Sequence, residues 1–311
     1  VTSSELTAFI KDEARLLGFE TCGIAPVSAI SKEHERFFHD WLEKSQQGDM
    51  HYMENHLDKR LNPRLLVPGG VSIIVVALGY YHPVSHPEIA RYALNPDYHP
   101  LIRQKLYTLL SHIREQDIPV SGKAFTDSAP VAERYWALQA GLGWIGKNNQ
   151  LIIPGKGSWF LLGELVINLA LEYDHPVKSH CGNCHRCIDA CPGNALNEKT
   201  GLNARQCLSY LTIEKKGSFS LEEAHLCGSN GCFFGCDRCQ EVCPWNRFSQ
   251  EQSLPDFQPF PELTNMDPAT FSLLTETGFQ SLFKKTSLYR TGLSALQRNH
   301  EAIKKFRSSE R

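Results

Sequence analysis

The chain has 311 residues, of which 41% are hydrophobic and 21% charged, and its formal net charge is −2. Such a composition suits a globular protein of one large or two moderate domains, and it excludes wholesale disorder and a strong global attraction to nucleic acid. The longest apolar runs, VSIIVVALGYY and WFLLGELVINLALEY, are too short or too interrupted to span a bilayer.

Residues 3–18 alternate charged and apolar residues at helical spacing and lack the continuous apolar core of a signal peptide. The expectation is therefore a surface helix on a cytoplasmic, monomeric protein. TCGIAPV reads as a short strand and residues 31–46 as a second helix. VSIIVVALGYY, rich in β-branched residues, suits a central buried strand. HPLIRQKLYTLLSHIREQ predicts an amphipathic helix, and VSGKAFTD the next strand. Asp127, Ser128, Ala129 and Pro130 look like a helix start, with Asp127 either a plain cap or a carboxylate facing a cavity. VAERYWALQAG continues that helix to a glycine. QLIIP and SWFLLGELVINL read as a hairpin around GKG. GLGWIGKNNQLI nearly spells a phosphate-binding loop, but Asn148 replaces the required Ser/Thr and the segment follows a helix, so nucleoside triphosphate binding is rejected. With no strict β-α-β rhythm, the fold class is α+β, and the texture changes near residue 175.

Ten of the eleven cysteines fall between Cys181 and Cys243. Clustering of this kind in a long chain points to metal ligation and away from a disulfide framework. CGNCHRCIDACP has the C-x2-C-x2-C-x3-C-P spacing of bacterial ferredoxins, and CDRCQEVCP is a partial second copy. A tetrahedral zinc site would need only paired C-x2-C units, so two 4Fe–4S clusters are preferred. In the ferredoxin pattern the fourth cysteine crosses to the other cluster. Cys181, Cys184 and Cys187 then join Cys243, and Cys191 joins Cys236 and Cys239. The last ligand is left open among Cys207, Cys227 and Cys232. Cys22 reads as a small buried apolar residue, and the thirteen histidines, including His82, His86 and His99, read as structural.

TDSAPVAERYWA, GLGWIGKNNQLI, GSWFLLGEL, the ferredoxin pair, CLSYLTIE and GCDRCQEVCPWNRF occur in an order that resembles the epoxyqueuosine reductase family. The resemblance implies an N-terminal cobalamin-binding catalytic domain over residues 1–175, a two-cluster ferredoxin-like domain over 176–250, and a helical segment over 251–311 in place of the longer extension of some members. It also implies Cys207 as the missing ligand and Asp127 as the proton donor. Arg60, Tyr92, Lys147, Asn148, Asn149, Ser158, Gly163 and Ser209 are implied near the corrin. The implied reaction reduces an epoxide at the wobble position of tRNA, with electrons from an external low-potential donor. An acid role requires a protonated Asp127 at neutral pH, so burial is expected to raise its pKa. Lys215, Lys216 and Arg298, with Lys284, Lys285 and Arg290, are candidate phosphate contacts. A corrinoid reductive dehalogenase and a plain electron-transfer protein are the alternatives.

Overall fold

Eight strands are present in the computed structural model, which describes residues 2–309. They are β1 (Thr21–Pro26), β2 (Ser72–Gly79), β3 (Gly122–Phe125), β4 (Trp144–Ile145), β5 (Leu151–Ile152) and β6 (Phe160–Ile167), followed later in the chain by one two-residue hairpin at Leu196–Asn197 and Gly201–Leu202. Four of them form one antiparallel sheet in the order β1-β2-β6-β3. Every residue of β2 is buried, as its unbroken apolar run requires. Ile74, Val76 and Leu78 pack under the helices Ser3–Leu16 and Tyr98–Arg114 through Ile10, Ile102 and Leu106. Ile73, Val75 and Ala77 face the helix Glu133–Gln139 through Trp136 and Ala137. An antiparallel sheet with helices on both faces is an α+β arrangement, as the sequence pattern suggests.

Two expectations are corrected. QLIIP and SWFLLGELVINL do not pair as a hairpin. β5 turns back onto β4, β6 inserts between β2 and β3, and the GKG turn is closed only by the bridge Ile153↔Gly157. The larger apolar surface of β2 wins the pairing with β6. Asp127 does not start a helix. Its φ is +52°, the helix begins at Glu133, and the preceding Ala132 makes no side-chain cap.

Beyond the sheet the chain runs in short helices. Arg186–Asp189 and Arg238–Glu241 each end just before a Cys-Pro pair. The C-terminal helices Glu276–Phe283 and Leu293–Ser309 share one core with Phe233, Phe234, Ile89 and Leu94, so residues from all three expected segments are packed together. Asn299, fully buried, ties this joint with Nδ2 bonds to the carbonyls of Thr212 (2.7 Å) and Phe233 (2.9 Å). Among the described residues no helix is long and apolar enough to cross a membrane.

Candidate active site

A cavity of about 590 Å³ opens between the sheet domain and the cysteine-rich segment. Arg60, Tyr92, Asp127, Asn148 and Asn149 line it from the first side, and Ser209, Cys191, Cys207, Cys236 and Cys239 from the second. Ser287 and Arg290 of the C-terminal segment complete its rim.

Asp127 projects into this space from the turn after β3. Thr126, fully buried, anchors the turn by donating to the Leu162 carbonyl at 2.8 Å. The Asp127 N–H donates to the Glu133 carboxylate. Tyr98 Oη donates to Asp127 Oδ2 at 2.9 Å, and His99 Nε2 lies 3.1 Å from the same oxygen, leaving Oδ1 to the cavity. His99 Nδ1 lies 2.6 Å from Asp97 Oδ1. Between two carboxylates, His99 is pushed up to about 9 although burial alone would lower it. Asp127 moves the other way from the expectation. Desolvation raises its pKa, but His99, Tyr98 and the Arg290 charge outweigh this and hold it below the ordinary carboxyl range. The mobile proton of this site therefore rests on His99. Sequence spacing missed that histidine because it meets Asp127 only through the fold. The DYHP run at a helix N-terminus was the available signal.

The remaining expected residues divide by geometry. Asn148 is buried, its Oδ1 accepts from Gln150 N at 3.2 Å, and its Nδ2 has no partner among the described residues. Arg60 is buried in the last turn of the helix Leu57–Leu61, and its Nε also has none. Buried unpaired donors in a cavity wall are expensive unless a ligand satisfies them. Asn149 reaches the wall at φ +60°, and its carbonyl accepts from Arg134 at 2.6 Å. Lys147, Ser158 and Gly163 do not line the cavity. Lys147 pairs with Glu198, beside His185. Ser158 bridges to the cysteine-rich segment, its N–H donating to Asn246 Oδ1 at 2.6 Å and its carbonyl accepting from Gln240 at 2.9 Å. Gly163 sits under the helix Tyr98–Arg114, where an added Cβ would lie 2.4 Å from Ile102. Its role is close packing. Arg298 is likewise unavailable for phosphate. Its guanidinium donates to the carbonyls of Lys215, Gly217 and Leu211 at 2.8, 2.8 and 3.0 Å and covers the Phe219 ring.

The thiols group in fours. Cys187 feels Cys243 and Cys181, and Cys243 feels Cys181 and Cys184. Cys239 feels Cys236, Cys207 and Cys191. Cys232 lies against Cys236, its N–H donating to the Cys227 carbonyl at 3.2 Å, and Cys227 is fully buried behind. Burial pushes Cys187 and Cys207 up to about 11, so loading with metal releases protons. Among the described residues no three His, Cys, Asp or Glu side chains are grouped as one bare ion needs, so the assignment rests on this grouping together with the spacing. Trp144 Nε1 donates to Cys181 Sγ at 3.4 Å.

The family description "Epoxyqueuosine reductase QueG, DUF1730" matches residues 60–128, and "4Fe-4S double cluster binding domain" matches residues 180–246. An epoxyqueuosine reductase of Cellulophaga algicola is 42% identical, covering 97% of this chain and 99% of that protein. A crystal structure of epoxyqueuosine reductase with an epoxyqueuosine-modified tRNA-Tyr stem loop has a TM-score of 0.87 at 27% identity, covering 97% of this chain and 81% of that one. The Bacillus subtilis enzyme, seen with its aspartate-bearing catalytic loop swung out of the active site, has a TM-score of 0.84 at 27% identity, covering 97% and 82%. A reductive dehalogenase structure that suggests a mechanism for B12-dependent dehalogenation shares the fold alone, with a TM-score of 0.52 at 13% identity over 96% of this chain and 38% of that one. With such identity along nearly its whole length, this chain belongs to the epoxyqueuosine reductase family.

Proposed function

We propose that the cavity is where this chain carries out its family's reaction, reduction of epoxyqueuosine in tRNA to queuosine, with cobalamin beside the two clusters. One observation carries the reading: Asp127 and its protonated neighbour His99 stand on one wall, and the four cysteines of the second set stand on the other. Converting an epoxide to an alkene and water takes two electrons and two protons. Bound here, the clusters and the corrinoid supply low-potential electrons, which side chains cannot. The residues fit a corrinoid, whose rim carries amide carbonyls. Asn148 Nδ2 and Arg60 Nε are donors unpaired among the described residues, and these oxygens would satisfy them. Asn149, Tyr92 and Ser209 add polar groups around them.

The chain's own part is proton handling. His99 holds a proton at Nε2 against Asp127 Oδ2; passed to that carboxylate, it makes Asp127 the acid for the departing oxygen, and the second proton comes from solvent. Tyr98 fixes the carboxyl plane. In the Bacillus subtilis relative the corresponding loop has been seen swung out, so the loop is an element with two positions. The cavity's catalytic wall comes from the expected first domain, its electron-carrying wall from the cysteine-rich domain, and its rim from Ser287 and Arg290 of the last segment. The first cysteine set faces elsewhere. Cys243 lines a separate hollow with Arg91, Arg186 and Arg247, and we assign the approach of the external donor to it. Contacts to tRNA phosphates fall to exposed Lys216, Lys284 and Lys285 and to Arg290 at the rim, which is paired with Glu214, with Lys215 partly neutralised by Glu223 at 3.1 Å. The dehalogenase alternative has only the fold in its favour, and a plain electron carrier has no use for Asp127 and His99.

Titrating anaerobic protein with cobalamin, followed by absorbance, tests the assignment. Wild type takes up one equivalent. Asn148→Leu weakens uptake roughly tenfold, as loss of a buried hydrogen bond of about 1.5 kcal/mol would. Gly163→Ala leaves uptake unchanged and lowers stability by about 1–3 kcal/mol through overpacking. No saturable uptake by wild type would end the proposal.

A further inference from the structure

Glu164 is the one charged residue of β6, at the centre of the sheet, paired with Val75 on one side and Phe125 on the other. It is fully buried, and neither carboxylate oxygen meets a donor among the described residues. Two ionised carboxylates cannot satisfy each other, and Glu133 is its neighbour. A proton between them supplies the missing donor. The other side of Glu133 takes the Asp127 N–H, in the turn that Thr126 anchors to β6. A chain of contacts therefore runs from the middle of the sheet, through Glu164 and Glu133, to the backbone of the catalytic residue.

We propose that Glu164 and Glu133 share one proton and form a latch that holds the Asp127 turn in its working position. Glu164 donates its O–H to the Glu133 carboxylate, and Glu133 accepts the Asp127 N–H. Neither residue touches substrate, so both are positioning residues, and the proposal rests on Asp127 acting in this cavity. The charges around the pair agree with a retained proton. Burial and the nearby Asp127 carboxylate push Glu133 up to about 7, against the opposing pull of the Asp127 N–H bond, Arg134 and His99. Burial and Glu133 push Glu164 well above the ordinary carboxyl range. Arg60 and Tyr98 are the other ionisable groups that sense Glu133. Removing the last proton leaves two carboxylates in contact, and the turn loses its hold. The pair titrates jointly, so this loss belongs to both residues together.

The test uses the full chain with its clusters loaded. Difference infrared spectroscopy of resting wild-type protein at about pH 8, where ordinary carboxyls are ionised, shows the carbonyl band of a protonated carboxylic acid, and Glu164→Gln abolishes it. Its absence from wild type overturns the proposal whether or not the protein turns over. In single-turnover assays on an epoxyqueuosine-modified stem loop, Glu164→Leu lowers the rate roughly tenfold to a hundredfold with little change in substrate affinity, as misplacement of a reacting group does. Glu164→Gln, a neutral donor of the same shape, restores it. The alkaline loss of activity, which in wild type involves both the carboxyl pair and His99, becomes a one-proton limb in Glu164→Gln. An unaltered limb in Glu164→Gln, failure of glutamine to rescue, or wild-type rates in Glu164→Leu would each overturn the latch.

Discussion

Asp127→Asn yields a folded protein with its full iron and cobalamin content, and a turnover rate about a hundred to ten thousand times lower. The magnitude is that of losing a positioned acid, and the geometry explains why stability is spared. Asp127 caps no helix, so the roughly 1 kcal/mol cost of deleting a cap does not apply. Its carboxyl receives bonds from Tyr98 and His99 on one oxygen and offers the other to the cavity. The pH dependence follows from the same contacts. His99, raised to about 9, keeps its proton through neutral pH and loses it as pH rises through that value, so wild-type turnover declines there. Asp97 and Asp127 are both depressed, so the charged chain of three groups fails on the acid side only below the ordinary carboxyl range. The same linkage applies to folding. The raised histidine contributes stability that is fully present below its unfolded value of about 6.5 and is lost as pH rises through about 9. In Asp127→Asn the histidine loses one of its two carboxylates, and the alkaline limb of any residual activity moves down toward the ordinary histidine value. Turnover in Asp127→Asn with a wild-type pH profile would contradict the acid role.

Cys207→Ser halves the iron content, from about eight to about four atoms per chain, and abolishes turnover. Cys232→Ser and Cys227→Ser keep both. Spacing alone left these three cysteines equivalent. In the folded chain Cys207 stands with Cys191, Cys236 and Cys239 in the cavity wall. Cys232 leans on Cys236 and toward the Asn230 carbonyl at 3.7 Å, and Cys227 lies in an apolar core with Leu208 and Leu211. Because the affected set is the one facing the cavity, the surviving cluster cannot replace it. Iron analysis and low-temperature electron paramagnetic resonance of the reduced protein read the outcome. A Cys207→Ser protein with full iron, or a Cys232→Ser protein at half, would reverse the assignment.

How much of this was legible beforehand depended on the distance over which each signal acts. The cysteine spacings are local, because a thiolate three residues from another turns back onto the same centre, and they carried the two-cluster reading directly. β2 was legible because an unbroken β-branched run has only one comfortable place in a sheet. The partner of β6 was not, since a short loop favours a hairpin on paper while the fold prefers the larger apolar surface of β2. His99 was hidden for a related reason. It lies 28 residues from Asp127, and its own neighbourhood, the DYHP run, offers only the weak signal of a helix start. The direction of the Asp127 pKa was misread through the same gap, since desolvation follows from burial but the opposing cation comes from another element. Glu164 had a visible signal, one carboxylate in the apolar run WFLLGELVINL, though its meaning required the neighbour on the helix above. Arg298 and Gly163 show the converse: residue types suited to phosphate or to a ligand's approach, both engaged in holding the protein's own backbone together.

The central claim is that a protonated Asp127–His99 pair and a cluster-fed corrinoid meet in one cavity to reduce the epoxide. Its most direct test is an anaerobic single-turnover reaction of the iron-loaded chain with an epoxyqueuosine-containing tRNA stem loop and a low-potential reductant, with and without cobalamin, followed by nucleoside analysis. Queuosine should appear stoichiometrically with cobalamin present and not without it. Unchanged epoxyqueuosine in both reactions, or equal queuosine in both, would contradict the account.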